Sequence, residues 1–180
     1  LQTEVMAESL AIAKAGGVRV LGPNMLGLMR PVIGLNASNY SAKVRPGNLA
    51  LVAHSSALCT AMLDWADAKG MGFSSVISMG ESSDIDFGEI LDFLVADGHT
   101  QGILLHVNSI HDARRFMSSL RAVARGKPVV VVKSGRYLDH HDGMTSATNL
   151  VGRGDVFDAA LARAGVLRVN TISQLFSGAR

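Results

Sequence analysis

Three groups of residues have types and spacings that chemistry could use. The first is VAHSSALCTAMLDWA, a strand, a tight turn and a helix, in which Ser55 and Ser56 stand where helix N-terminal amides lack acceptors. Those amides and hydroxyls suit a phosphate or another anion, and a serine there is equally an ordinary N-cap. A nucleophile elbow is disfavoured, because Ala53 and Ala57 replace the glycines of G-x-S-x-G and no Asp then His follows in order. The second group is MGESSDIDFGEILDFL, with Glu81, Asp84, Asp86 and Glu89 just after a strand. These carboxylates could hold Mg²⁺ or orient an imidazole, but the favoured reading is that Ser83 or Asp84 caps the next helix. The third is LDHHDG, His140 and His141 between two aspartates, inside the long polar stretch KSGRYLDHHDGMTSATNLVG. Adjacent histidines with no Cys or H-x-x-x-H partner make a poor metal site, so no metal is expected. His106 and His111 read as structural or surface residues, and no glycine pattern matches a dinucleotide fingerprint or a P-loop.

The elements that must position these groups follow from periodicity. Leu1 to Ala15 has helical spacing closed by Gly16-Gly17, and VRVLG reads as a short strand ending in the turn GPN. From Met29 to Gly47 periodicity disappears, which marks a domain boundary, placed at 42/43. Beyond it strands alternate with helices: LALVAHS, Ser56 to Lys69, FSSVISMG, Phe87 to Ala96, GILLHVN, His111 to Arg125, PVVVVKSG, Gly154 to Ala164, VLRVN and a last helix. Five strands, several apolar on both faces, predict a flavodoxin-like, doubly wound, parallel five-stranded α/β sheet. In the helix from His111, Phe116, Met117, Leu120 and Val123 form an apolar stripe, and Arg114, Arg115, Arg121 and Arg125 read as a solvated face. Ligands of such sheets sit beyond the carboxyl ends of the strands, which here are AHSSA, MGESSD, VNSIHD and KSGR, all polar.

Composition narrows the class. With 48% hydrophobic and 18% charged residues the chain is globular rather than disordered. Seventeen basic against fifteen acidic residues, with no basic stripe, argues against nucleic acid. No apolar run is long enough for a bilayer, and the single Cys59 fits a reducing, cytoplasmic setting. The chain opens on Leu1 already in a helical pattern, so a fragment of a longer protein is expected.

The blocks GVRVLGPNMLGL, GNLALVAHSSALCTAMLDWA, GMGFSSVISMGESSDIDFGEILDFL, ILLHVNSIHDARRFMSSLRAVARGKPVVVVKSG and DAALARAGVLRVNTISQLF together resemble the NDP-forming acyl-CoA synthetases, relatives of the succinyl-CoA ligase α subunit. The resemblance implies that residues 1–42 are the tail of a Rossmann-like CoA-binding domain and 43–180 a succinyl-CoA ligase-like flavodoxin-like domain. It implies CoA or acetyl-CoA as ligand, bound mainly outside this chain, with Asn24, Met25, Ser55 and Ser56 as contacts. In the family a histidine in a pattern like S-H-T-G-A-L-A-G carries a phosphoryl group from acyl phosphate to ADP, a role that suits an imidazole nucleophile. Here SATNLVG places Ala147 at that position, or Ser146 if the block is aligned from its C-terminal side. The phosphate cradle S-Q-S-G-A-L has become AHSSAL, and Met25 occupies the cysteine of G-P-N-C-L-G. These departures resemble the degenerate synthetase module of bacterial GNAT-type protein lysine acetyltransferases, which implies a non-catalytic acyl-CoA-sensing and oligomerisation module. ATP-grasp and GNAT domains of the same parent and a homo-oligomer are the implied partners. The alternative is an active ADP-forming ligase using a displaced His140 or His141, with ATP and Mg²⁺.

Overall fold

The computed structural model describes residues 2–133 and 154–178. Helix α1 (Gln2–Ala15) is followed by a hairpin of β1 (Gly27–Arg30) and β2 (Leu35–Ser38). Then come β3 (Pro46–Ala53), α2 (Ser56–Ala68), β4 (Phe73–Ser78), α3 (Phe87–Ala96), β5 (Gly102–Val107) and α4 (Ala113–Ala124). The described chain continues with β6 (Val129–Lys133), α5 (Gly154–Arg163), β7 (Leu167–Val169) and α6 (Ile172–Ser177).

The strands form one sheet in the order β2-β1-β4-β3-β5-β6-β7. From β4 to β7 all pairings are parallel, whereas β1 is antiparallel to both β2 and β4. Counting only the parallel strands, the order is 2-1-3-4-5, the flavodoxin-like winding the alternating pattern predicts. The five expected strands are therefore present, and the sheet is wider by two. Strands β1 and β2 arise from and beside the stretch read as aperiodic. Each is four residues long, too short for the buried/half-buried alternation of β1 to read as a period in the sequence, and β2 is almost wholly exposed; pairing of β1 with the edge of β4, and of β2 with β1, makes them strands. Conversely, VRVLG is not a strand. Its backbone lies against the β4–α3 loop instead: Ile85 N–H donates to the Val20 carbonyl (3.2 Å) and Val20 N–H to Asp84 Oδ2 (2.7 Å).

Alternate residues of the parallel strands feed two cores. Ala50, Val52, Ile77, Leu105 and Val131 pack against Leu91, Phe116, Leu120, Phe157 and Leu161 from α3, α4 and α5. Leu51, Ala53, Val76, Leu104 and Val130 pack against Met62, Leu63, Leu175 and Phe176 from α2 and α6. Burial on both faces is why these strands read as continuous apolar runs. It also fixes their register, because a one-residue slip would exchange the two cores. The arginines of α4 lie on its solvent side as expected, Arg115 reaching Glu89 at 3.5 Å. No helix among the described residues is long and apolar enough to cross a membrane.

Candidate functional site

The winding reverses at β3, whose neighbours β4 and β5 connect through helices on opposite faces. An open cleft of about 500 Å³ lies there, lined by Asn24, His54, Ser55, Ser56, Leu58, Gly80, His106 and Asn108. Its floor is made of the first residues beyond the carboxyl ends of the three central strands, the place where a doubly wound sheet leaves unpaired backbone.

Ser55 is the N-cap of α2 and its Oγ accepts the Leu58 amide (3.2 Å). Among the described residues no acceptor takes the Ser55 hydroxyl proton. Ser56 Oγ donates to the Asn24 carbonyl (3.0 Å) and lies 3.3 Å from Ser78 Oγ, so this hydroxyl is committed to holding the GPN turn. Ser78 Oγ also accepts the Leu26 amide (3.0 Å). The amides of Ser56 and Ala57, which a helix leaves without intrahelical acceptors, complete the donor end of α2. Asn24 has φ 56°, and its side-chain amide donates to Glu81 Oε1. The GPN turn is docked by backbone bonds from Glu81 N–H to the Pro23 carbonyl (2.9 Å) and from Ser83 N–H to the Gly22 carbonyl (3.1 Å). Gly80, at φ 59°, permits that approach, since a Cβ there would run into the Pro23 carbonyl oxygen.

Asn24, Ser55 and Ser56 all line this one cleft. Met25 is not among the residues lining the cleft; its side chain packs over Gly22. Ala147, Ser146, His140 and His141 lie outside the described residues.

The four carboxylates of MGESSDIDFGEI are spoken for by other partners. Asp86, not Ser83 or Asp84, caps α3, accepting the Gly88 amide at 2.8 Å. Asp84 and Glu89 share Arg19, at 3.0 and 2.8 Å. Hydrogen bonds from that guanidinium hold both carboxyls below their ordinary range. Among the described residues no three His, Cys, Asp or Glu side chains gather as metal ligands would.

Two cleft residues were not anticipated as such. His106 is 2% exposed and His54 8% exposed, both at strand ends, so neither is a surface group. His54 Nδ1 accepts the Asn108 backbone amide (3.1 Å), and its ring meets Phe87 edge-on at 4.8 Å. Burial, reinforced by His106 and His111, pushes the His54 pKa down to about 4, and burial also lowers that of His106. The signal that could have found both was their position immediately at the carboxyl ends of β3 and β5.

Comparison with known proteins now decides the family, since residues 46–180 match the succinyl-CoA ligase-like flavodoxin domain. The chain belongs to that family. Relatives of this succinyl-CoA ligase-like domain include the α subunit of ADP-forming acetate–CoA ligase I of Pyrococcus furiosus, 36% identical over 178 residues. That match takes in 98% of this chain but 38% of the relative, so the chain spans well under half of it. The ADP-forming 4-hydroxybutyrate–CoA ligase of Nitrosopumilus maritimus is 34% identical over 170 residues, 92% of this chain and 24% of that one. Among solved structures, the dinucleotide-forming acetyl-coenzyme A synthetase 1 of Ca. Korarchaeum cryptofilum, in complex with phosphate and ADP, superposes with a TM-score of 0.82. It is 27% identical, and the superposition covers 96% of this chain and 38% of that one. The relationship to NDP-forming acyl-CoA synthetases implied by the sequence blocks is therefore established at the level of the family.

Proposed function

We propose that this domain is the acyl-CoA-binding part of a synthetase-like module that has lost its phosphoryl carrier. Residues 1–42 would be the tail of a preceding Rossmann-like CoA-binding domain and 43–180 the ligase-like domain. The parent would be a bacterial GNAT-type protein lysine acetyltransferase, with ATP-grasp and GNAT domains on the same chain and a homo-oligomeric assembly. The observation that carries this reading is Ala147 in SATNLVG, where the family's motif has histidine. A methyl group cannot accept or pass on a phosphoryl group. The cleft fits the pantetheine end of an acyl-CoA: it is open and supplies the α2 amides and the Ser55 hydroxyl. Among its described lining residues it presents no Lys or Arg for a phosphate dianion. CoA would supply the thioester, and this chain's part is to bind and orient it.

A second reading is favoured by the relatives, which are named as ADP-forming ligases. In it the chain serves an active acyl-CoA ligase, ATP and Mg²⁺ are required, and His140 or His141 replaces the missing carrier. A displacement of several residues weighs against it, because a misplacement of about 1 Å can cost on the order of a hundredfold in rate.

Full-length protein supplied with ATP, Mg²⁺, acetate and CoA separates the two. The sensing reading expects neither ADP nor acid-labile phosphoprotein, with acetyl-CoA still raising the melting temperature. ADP release that His141→Ala or His140→Ala abolishes would establish the ligase instead.

A further inference from the structure

The state of His54 follows from geometry. A backbone N–H can only donate, so the 3.1 Å bond from the Asn108 amide requires an unprotonated Nδ1, and the ring proton of the neutral imidazole must sit on Nε2. His54 is 8% exposed, lines the cleft, and also borders a small hollow lined by Ser82, Asp86, Phe87, Ser109 and His111. Ser82 Oγ is buried without a hydrogen-bond partner, Asp86 Oδ1 accepts the Gly88 amide, and among the described residues no hydrogen bond consumes the Nε2 proton. His54 is therefore a fixed, uncharged donor at the edge of a cleft whose described lining carries no cationic side chain. Such a donor set discriminates by acceptor charge. A neutral N–H and backbone amides leave most of a phosphate dianion's charge uncompensated, whereas an uncharged carbonyl oxygen needs only the Nε2–H hydrogen bond and leaves the Asn108 bond in place.

We propose that His54 Nε2–H donates a hydrogen bond to an uncharged carbonyl of the acyl-pantetheine arm, either the thioester carbonyl or a pantetheine amide. The inference rests on the acyl-CoA-binding reading given above. Burial supports it independently, because the same desolvation that disfavours an imidazolium keeps the donor neutral through the physiological range.

Two substitutions test it in the full-length protein. His54→Asn places an acceptor near the old Nδ1 and keeps the Asn108 amide paired, but removes the distal donor. His54→Gln restores a donor near Nε2. Acetyl-CoA and CoA affinities are measured by calorimetry, with ring ¹⁵N shifts read by NMR. His54→Asn is expected to weaken acetyl-CoA binding about tenfold, the size of one hydrogen bond, with His54→Gln within about threefold of wild type. A loss confined to acetyl-CoA assigns the thioester carbonyl, and an equal loss for CoA assigns a pantetheine amide. Unchanged affinity in a folded His54→Asn protein, or an imidazolium signal on adding ligand, overturns the proposal while the acyl-CoA reading stands. Wild-type protein that binds neither ligand overturns both.

Discussion

Helices α2 and α3 begin at the carboxyl ends of neighbouring parallel strands, β3 and β4, yet the two N-termini are finished in opposite ways. Helix α3 is capped by the Asp86 carboxylate, carries Glu89 in its first turn, and has Arg19 and Arg115 closing over it. Its positive end is neutralised from within the chain. Helix α2 is capped by the neutral Ser55, has no acidic residue in its first turn, and opens onto the cleft. Partial positive charge at a helix N-terminus attracts electron-rich groups, and the chain satisfies that demand with its own carboxylates at α3 but with none in the cap or first turn of α2, which opens onto the cleft. The difference teaches that a carboxyl-end location makes a site possible, while the charge of the cap decides which end stays open.

The largest effect is expected at Gly80, where the two regions meet. Gly80→Ala would drive a Cβ into the Pro23 carbonyl at a left-handed φ of 59°, so stability should fall by on the order of 3 kcal/mol in chemical denaturation. A loss of a few tenths would mean the GPN turn moves aside freely, and the two ends are not rigidly joined.

His54 belongs to both regions, lining the cleft and touching Phe87 at the start of α3. In the folded protein it titrates near 4, against 6.5 for an ordinary histidine. Between those values the unfolded chain binds a proton that the folded ring refuses, so stability is full above about 6.5 and declines as pH falls toward 4. The decline should be on the order of 2 kcal/mol, less than the full shift implies because the ring edge reaches solvent in the cleft. His54→Gln should flatten that part of the pH profile of the melting temperature.

Converting one end into the other sharpens the comparison. Ser55→Asp gives α2 the kind of cap α3 has, and should leave stability within about 0.5 kcal/mol while weakening acetyl-CoA binding about tenfold. Unaltered binding would mean that the α2 terminus does not face the ligand. The smallest effects come from removing the caps. Asp86→Ala and Ser55→Ala should each cost about 1 kcal/mol, but only the second should also lower acetyl-CoA affinity.

How far these features were legible depends on the kind of interaction that makes them. The five parallel strands could be read because burial on two faces writes uninterrupted apolar runs such as VVVV into the chain. The Ser55 cap of α2, and the place of both serines at the strand end, could be read because the strand-end rule and the N-cap preference are both local. The β1–β2 hairpin was missed because its four-residue, half-exposed strands are held by the β4 edge rather than by their own pattern. VRVLG misled for the converse reason: its apolar residues suggest a strand, but Val20 pairs with the loop that contains Asp84 and Ile85. The cap of α3 was assigned to Ser83 or Asp84 because any of these side chains can cap, and Arg19, 65 residues from Asp84, selects among them.

By itself, then, the sequence determined the layered α/β fold, the winding, the edge at which a site could form and the absence of histidine at position 147, because all are carried by local composition and period. The tertiary structure decided that the Ser56 hydroxyl is spent on the GPN turn, while among the described residues the Ser55 hydroxyl gives its proton to none. It also decided that α3 is closed and α2 open, and that His54 is a neutral donor fixed by the amide of Asn108. Those outcomes depend on partners up to 70 residues apart, and hydrogen-bond geometry between distant segments leaves no period in a chain.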